Sequence, residues 1–425
     1  MLDIKYIRES KNLFKDAATK KGLNSKIIDI LIEVDEKRRE LIQKTDMLRA
    51  EHKKTTDRKE ATELKNRVKK SEEELKTIEK QFEGLMNQVP TILAPDTPIG
   101  KKDADNLEIY HSGKIPEFNF KPKDHIELAK NLNVIDFERG VKVSGFRGYY
   151  LKNEVAILAL SLMMYALRKM IEKGYTPVIP PTLVKEFALF GSGYFKNAEY
   201  NAEVDEIYQV ATADKEASGK VSKDKKFLIG TAEPALLAYY ANETLEEKDL
   251  PIKLCGFSQC YRSEIGSYGK DTKGLYRVHE FMKIEQVIIS RADIEESDAL
   301  QREMVEITKE IHEELGFPFR MIRICSGDLT IGKYKQFDFE AWLPGTNKWA
   351  ETGSASNFLD WQARRLNVKY KTKEGDKKNV FMLNNTALPT PRPIMAILEN
   401  FQTEDGTVKV PEVLHPYTGF KEIKP

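Results

Sequence analysis

The sequence predicts an α+β protein that has an antiparallel coiled-coil hairpin near its N-terminus. Two heptad repeats lie between residues 26 and 89, a stretch that contains no proline and one glycine. From His125 onward, helical periods alternate with short apolar runs of strand length. Of the 425 residues, 40% are apolar, which is enough for a folded core and excludes a wholly disordered chain.

The hairpin is predicted by the spacing of its apolar positions. Steps of three and four residues place one side chain per turn on a single seam, as in a coiled coil. A polar break from His52 to Arg58 separates the two repeats, so the helices should fold back on each other. About 30 residues per helix give an arm of roughly 45 Å. The seam positions are Ile27, Leu31, Val34, Arg38, Leu41, Thr45, Leu48 and His52, then Ala61, Leu64, Val68, Ser71, Leu75, Ile78, Phe82, Leu85 and Val89.

The tip of the predicted hairpin carries an excess of positive charge. Residues 49–70 contain nine Lys and Arg residues against four acids, a local charge of +5 in a chain whose net charge is +1. This placement favours a surface that contacts phosphates, and an ordinary solvated coiled-coil face is the alternative. The nine basic residues are Arg49, Lys53, Lys54, Arg58, Lys59, Lys65, Arg67, Lys69 and Lys70.

Composition and absent motifs exclude several classes of protein. The sequence has no Walker phosphate loop, and its three cysteines and six scattered histidines predict neither a disulfide framework nor a zinc site. Few cysteines and a charged N-terminus without an apolar signal core are expected of a cytoplasmic protein. The longest apolar run, residues 155–167, is too short to span a membrane and predicts a buried helix.

Residues 254–285 form the segment most suggestive of ligand chemistry. Short apolar runs flank a polar, Gly-punctuated loop at 266–274, which predicts a strand–loop–strand hairpin. Alternation along each strand gathers its charged and aromatic side chains on one face. Such a face suits a ligand with a phosphate, an aromatic base and an ammonium group, and a salt-bridged surface hairpin is the alternative. The residues concerned are Arg262, Glu264, Phe281, Lys283 and Glu285.

A second segment, residues 348–357, contains Glu351 and several small hydroxyl residues. A carboxylate beside hydroxyl groups suits Mg²⁺, which takes few protein oxygens and prefers phosphates for the rest. Capping of the following helix by Ser354, Ser356 or Asn357 is the alternative, and both roles can hold at once.

The third segment places Arg392 directly before an apolar helix predicted at 394–401, with Pro393 suited to its first position. A cation is unfavourable at the positive end of a helix dipole. A bound anion shared by Arg392 and the helix terminus would explain this placement, and an ordinary exposed arginine is the alternative.

Together these segments resemble the class II aminoacyl-tRNA synthetases. Residues 261–264 resemble their motif two, Arg392 with its helix resembles motif three, and residues 173–181 resemble motif one with its interface proline. Over nearly the whole chain, the sequence is more specifically similar to seryl-tRNA synthetases. The other matching segments are the N-terminal hairpin, 134–139, 230–233, 354–358, 362–365 and 396–402.

This resemblance implies an antiparallel-sheet catalytic domain at residues 111–425. Residues 1–110 would form a tRNA-binding domain that comprises the hairpin and linker sequence. Five prolines and little periodicity predict the linker at residues 89–123. The implied reaction is ATP-dependent activation of L-serine, followed by transfer of the seryl group to the 3′ end of a tRNA that has a long variable arm. ATP would be a substrate with Mg²⁺, zinc is not expected, and the protein would be a cytoplasmic homodimer with no membrane partner.

The resemblance also implies roles for individual residues. Arg262, Arg392 and Glu351 would be catalytic, and the basic tip of the hairpin would grip the tRNA. Serine would be held by Thr231, Glu233, Arg262 and Glu285, with Thr386 at the back of the pocket. For ATP, Arg262 would contact the α-phosphate and Glu264 the adenine edge. Phe281 and Arg392 would lie on the two faces of adenine, and Arg392 would also reach the γ-phosphate. Glu351 and Ser354 would hold Mg²⁺ and the phosphates.

The third motif departs from the pattern of many bacterial family members. In residues 384–393, three glycines are replaced and three prolines are present, while Thr386 keeps the hydroxyl.

Two other functions stay open: a ligase that loads a small amino acid onto a carrier protein, and an inactive tRNA-binding homologue. The long hairpin argues against the first, and the retained site residues argue against the second.

Overall fold

The computed structural model describes residues 4–195, 200–212, 214–215, 218–265 and 273–425. The α-helices are α1 Ile4–Glu9, α2 Lys11–Lys20, α3 Lys26–Lys54, α4 Arg58–Met86, α5 His125–Asn131, α6 Phe137–Ser144, α7 Asn153–Glu172, α8 Glu186–Ser192, α9 Glu233–Ala238, α10 Ile294–Leu315, α11 Trp361–Leu366, α12 Pro391–Asn400 and α13 His415–Thr418. Short 3₁₀ turns lie at Asp103–Asp105, Glu247–Asp249 and Glu412–Leu414.

Strands supply the rest of the architecture. They are β1 Leu107–Ser112, β2 Ile135–Asp136, β3 Tyr150–Leu151, β4 Thr176–Val178, β5 Leu183–Lys185, β6 Lys226–Leu228, β7 Thr244–Glu246, β8 Ile252–Tyr261, β9 Glu280–Ser290, β10 Phe319–Arg323, β11 Lys335–Leu343, β12 Lys348–Asn357, β13 Lys369–Lys371, β14 Lys377–Asn379, β15 Phe381–Pro389, β16 Val408–Lys409 and β17 Glu422–Ile423.

The predicted hairpin is confirmed as α3 and α4, which pack along each other and are separated only by residues 55–57. Every predicted seam position is buried or half-buried, although Val89 lies beyond the end of α4. Two polar seam residues satisfy each other, since the Thr45 and Ser71 hydroxyls lie 2.7 Å apart. Asp57 starts α4 by accepting hydrogen bonds from the backbone N–H groups of the second and third helical residues, each at 2.9 Å.

The main sheet has eight strands in the order β1-β10-β11-β12-β15-β9-β8-β4. All neighbouring pairs are antiparallel except β4 with β8, which confirms the predicted fold class. Helices α7, α10 and α12 pack on one face and enclose the largest hydrophobic core. Helices α8, α9 and α11 cover part of the opposite face. The remainder of that face carries the candidate site.

Helix α7 is buried on the side that meets the sheet, as predicted for residues 155–167. Its other side exposes Ile157, Leu160, Met164 and Ile171, each between 44 and 52%. None of the helices in the described ranges is both long and apolar enough to cross a membrane.

Three expectations about local structure need correction. The segment treated as a linker contains β1, which pairs with β10 and crosses the proposed domain boundary at residue 110. Ser354, Ser356 and Asn357 lie within β12, and α11 starts only at Trp361, so the capping alternative is wrong. Helix α12 begins at Pro391, two residues before the position predicted from Pro393.

Candidate active site

The candidate site lies on the sheet face formed by β8, β9, β12 and β15. The predicted strand–loop–strand hairpin is present as β8 and β9, which pair in continuous register from Ile252↔Ile289 to Tyr261↔Glu280. Glu285 of β9 stands opposite Thr386 of β15, so these two predicted site residues are direct neighbours. Most of the connecting loop, residues 266–272, falls outside the described residues.

Arg262 follows β8 and is held at several points. Its backbone N–H donates to the His279 carbonyl at 3.0 Å, and His279 Nδ1 donates to the Arg262 carbonyl at 2.8 Å. The guanidinium Nε donates to the Gly230 carbonyl at 3.2 Å, and its central carbon lies 5.3 Å from the centroid of the Phe281 ring. These contacts present a planar cation beside an aromatic ring, which suits a phosphate next to a base.

One end of the site is a compact polar cluster. Lys283 forms an ion pair with the Glu285 carboxylate, and both residues are at most 4% exposed. Lys283 Nζ lies 3.1 Å from Thr386 Oγ1, which in turn lies 3.4 Å from Glu285 Oε2. A small ligand that bears a hydroxyl and an ammonium group would find both donors and acceptors here.

Glu233 lies beside this cluster at the start of α9 and is 6% exposed. Its Oε1 accepts hydrogen bonds from Gln362 Nε2 at 2.6 Å and from Asn384 Nδ2 at 2.8 Å. Burial, together with the negative charge of Glu285, raises the pKa of Glu233 to about 7. Thr231 is also buried, and its Oγ1 has no hydrogen-bond partner among the residues that the structure describes.

The other end of the site gathers cations and carboxylates. Glu264 lies between two arginines, with Arg277 Nη1 at 3.3 Å and Arg147 Nη1 at 3.6 Å from its Oε2. Arg392 projects from the first turn of α12. Its Nε donates to the Tyr276 carbonyl at 3.1 Å. Its Nη1 donates to the Glu351 carbonyl at 2.6 Å and lies 3.6 Å from the Glu351 carboxylate.

Several side-chain oxygens near Glu351 are relevant to Mg²⁺. Gln336 Nε2 donates to Asp338 Oδ1 at 2.7 Å and to Ser354 Oγ at 3.0 Å, so these two oxygens share one donor. Burial and the charge of Glu351 raise the pKa of Asp338 to about 7. Within the described ranges, no three His, Cys, Asp or Glu residues form a metal-binding group. The donors therefore fit an ion that takes most of its oxygens from a bound phosphate.

Two adjoining cavities of about 190 and 550 Å³ contain most of the predicted residues. The first is lined by Arg262, Glu264, Phe281, Glu351, Thr386 and Arg392. The second shares Arg262, Glu351 and Thr386 with it and adds Glu233, Glu285 and Ser354. Thr231 is not among the described residues that line either cavity, although it follows Gly230, the acceptor for Arg262.

Several residues at the site were not assigned a role from the sequence. Alternation places Lys283 on the predicted ligand face but gives it no role, and Asn384, two residues from Thr386 on the same strand, could have been identified in the same way. Gln362, Arg147 and Asp338 come from distant parts of the chain, and no local pattern marks them.

The basic residues of the hairpin lie at the end of the arm farthest from the sheet. All nine are exposed, so the structure leaves their side chains accessible to a large partner. Arg49 also pairs with Glu72 across the hairpin at 2.9 Å.

Comparison with known proteins identifies the family to which this chain belongs. Residues 1–93 match the seryl-tRNA synthetase N-terminal domain, and residues 215–401 match the class II tRNA synthetase core domain for G, H, P, S and T. The serine–tRNA ligase of Borreliella afzelii is 40% identical, and the match covers 100% of this chain and 99% of that protein. The chain belongs to the seryl-tRNA synthetase family.

Solved structures of other family members share the fold over the full length. The seryl-tRNA synthetase of Pyrococcus horikoshii, complexed with ATP, has a TM-score of 0.89 and 39% identity, with 100% of both chains covered. The cytoplasmic serine–tRNA ligase of Naegleria fowleri, in complex with AMP, has a TM-score of 0.87 and 32% identity, covering 100% of this chain and 99% of that one. Membership of the family is thus supported by sequence and by fold.

Proposed function

We propose that this enzyme activates L-serine with ATP to form seryl-adenylate and then transfers the seryl group to the 3′ end of a serine-accepting tRNA. One observation carries the proposal. The two adjoining cavities join a small polar pocket, built from Glu233, Lys283, Glu285 and Thr386, to a phosphate-sized region that contains Arg262 and Arg392. The two adjoining regions suit an amino acid that is bound beside a nucleotide.

The first step requires two anions to approach each other. The serine carboxylate attacks the α-phosphorus, the bond to the bridging oxygen breaks, and pyrophosphate leaves with that electron pair. Arg262 and Lys283 line both cavities, and Lys283 is already paired with Glu285, so Arg262 would neutralise the carboxylate and the α-phosphate together. No protein nucleophile is needed, and the site contributes by orientation and charge.

Selection of serine would rest on hydrogen bonds to its hydroxyl group. Thr386 and Glu285 already bond to one another and to Lys283, so a bound hydroxyl would join a formed network. Alanine would cover this polar network without adding a hydrogen bond to it, which is costly, and threonine would exceed the available space. The serine ammonium group would pair with the Glu233 carboxylate once that group is ionised.

The nucleotide would occupy the region between Glu264 and Arg392. Phe281 would stack on adenine, Glu264 would contact the adenine edge, and Arg392 would reach the γ-phosphate. Mg²⁺, held by Glu351 and Ser354 together with the phosphates, would offset the phosphate charge when it is bound.

The hairpin would bind the tRNA through its basic tip. An arm of 29-residue helices places these cations far from the sheet, which suits a partner that reaches both the arm and the site.

We also propose a homodimer whose interface includes the exposed apolar face of α7. Three free cysteines suit a reducing compartment, so we propose a cytoplasmic location.

Amino-acid-dependent exchange of pyrophosphate into ATP, measured with each of the twenty amino acids and no tRNA, tests the proposal. We expect exchange with serine alone. Exchange with another small amino acid would favour the carrier-protein ligase, and exchange with none would favour the inactive tRNA-binding homologue.

A further inference from the structure

Strand β12 contains a β-bulge at Thr352. Its neighbours Glu351 and Gly353 pair with consecutive residues of β11, so Thr352 has no residue opposite it. In a regular strand, Glu351 and Ser354 would point to opposite faces because they are three residues apart. The extra residue shifts the alternation by one, and both side chains line the same cavity. The bulge therefore assembles this part of the site.

Thr352 lines the smaller cavity, and its hydroxyl bonds to a histidine of α10. His312 Nε2 lies 2.7 Å from Thr352 Oγ1, and His312 Nδ1 lies 2.8 Å from the Thr308 carbonyl. A carbonyl only accepts, so Nδ1 carries the proton. Burial lowers the pKa of His312 to about 4, which keeps the ring neutral. Nε2 is then an acceptor, and the Thr352 hydroxyl donates to it at 2.7 Å, with the Phe339 carbonyl farther away at 3.3 Å.

The imidazole itself is rigidly held. It is 0% exposed and stacks on the Phe339 ring with centroids 5.3 Å apart and an angle of 22°. Phe317 and Phe319 contact it from other directions. His312 is separated from the cavities by the sheet, so it has no route to the substrates. Its hydrogen bond to the bulge is made through Thr352.

The backbone at the bulge also contacts a predicted catalytic side chain. Arg392 Nη1 donates to the Glu351 carbonyl at 2.6 Å, directly before the unpaired residue. We propose that His312 is a positioning residue: through Thr352 it fixes the bulge that aims Glu351 and Arg392 at the phosphates of ATP. This inference rests on the proposed function, because it assumes that the phosphates lie beside these two residues.

The variant Thr352→Val tests the inference, because valine keeps the shape of threonine and removes the hydroxyl. We expect the Kd for ATP, measured by calorimetry without amino acid, and the KM for ATP in pyrophosphate exchange to rise about tenfold. The KM for serine should change less than about twofold, because the polar pocket does not include the bulge. Thr352→Ser keeps the hydroxyl and should restore ATP binding.

Two further variants distinguish an effect on the positioning of the ATP-binding residues from an effect on folding stability. Thr418→Val is a matched control, since Thr418 is also buried and its hydroxyl donates to the Leu414 and Phe420 carbonyls, away from the cavities. It should lower the Tm and leave ATP binding unchanged. The double variant His312→Phe, Thr352→Val removes both partners at once, which should recover much of the lost stability. Its KM and Kd for ATP should stay raised.

Wild-type affinity for ATP in the double variant, or an effect of Thr352→Val on Tm alone, would overturn the positioning role. Absence of serine-dependent exchange in the wild type would instead overturn the proposed function. The Kd for ATP would still decide the role of His312 in that case.

Discussion

Replacing Arg262 with alanine should remove most of the catalytic power of the first step. The side chain lies in both cavities and would interact with two anionic groups, the serine carboxylate and the α-phosphate. Hydrogen bonds to charged groups contribute about 1.5–3 kcal/mol each, so loss of both costs about 3–6 kcal/mol. At 1.36 kcal/mol per factor of ten, the exchange rate should fall by about 10² to 10⁴.

Arg262→Lys gives a graded comparison. Lysine keeps the positive charge and loses the planar fork that can contact two groups at once. Loss of one of the two interactions predicts a decrease of about ten- to 100-fold. The assay is serine-dependent pyrophosphate exchange at saturating substrates, with tRNA affinity measured by fluorescence anisotropy on the same samples. Affinity for tRNA should be nearly unchanged, because the hairpin tip is far from Arg262.

A stability control is needed, since Arg262 is well packed and donates to the Gly230 carbonyl. Thermal unfolding of each variant would show that the assay temperature lies well below its Tm. If folded Arg262→Ala showed a pyrophosphate exchange rate within tenfold of the wild-type rate, Arg262 would not be the residue that contacts both the serine carboxylate and the α-phosphate. The assignment of the two cavities would then be wrong.

Three other predictions concern the arm, the serine pocket and the dimer. Deleting residues 49–70 and reclosing the hairpin should spare pyrophosphate exchange and impair tRNA charging. Equal loss of both activities would contradict the assignment of tRNA binding to the hairpin and of serine activation to the site on the sheet. Glu233 has a pKa near 7 in the free enzyme, so kcat/KM for serine should rise with pH through about 7, and Glu233→Gln should abolish that rise. Because this pKa is raised, the associated stability is fully present below the ordinary value of 4.5 and is lost as the pH rises to about 7, so the unfolding free energy should fall less steeply over this range in Glu233→Gln than in the wild type. Leu160→Glu with Met164→Glu should yield a monomer in sedimentation velocity, whereas an unchanged dimer would exclude this face of α7.

Features set by local periodicity could be predicted from the sequence. The hairpin is one example, because the spacing of Leu31, Val34, Thr45 and Leu48 alone identifies the buried seam. The β8–β9 hairpin is another, since two apolar runs flank a polar loop and pair directly. In both cases the partner segments are adjacent in sequence, so the pattern contains nearly all of the necessary information.

Features that depend on distant segments could not be predicted in this way. Strand β1 lies in a segment, residues 89–123, whose five prolines and weak periodicity predict a linker, and its pairing with β10 joins residues more than 200 positions apart. Gln362 reaches Glu233 across 129 residues. These contacts are set by tertiary structure, and no sequence window contains both partners.

The proline-rich third motif is compatible with an ordered site. Helix α12 starts at Pro391, and its first helical hydrogen bond is donated by the Ile394 N–H to the Thr390 carbonyl at 3.2 Å. The N–H groups that Pro391 and Pro393 lack would have had no partner within the helix, so their absence does not weaken the helix. The fixed φ angles of the two prolines also restrict the backbone on either side of Arg392. The loss of glycine flexibility therefore favours preorganisation of Arg392, whose guanidinium is already bonded to two carbonyls.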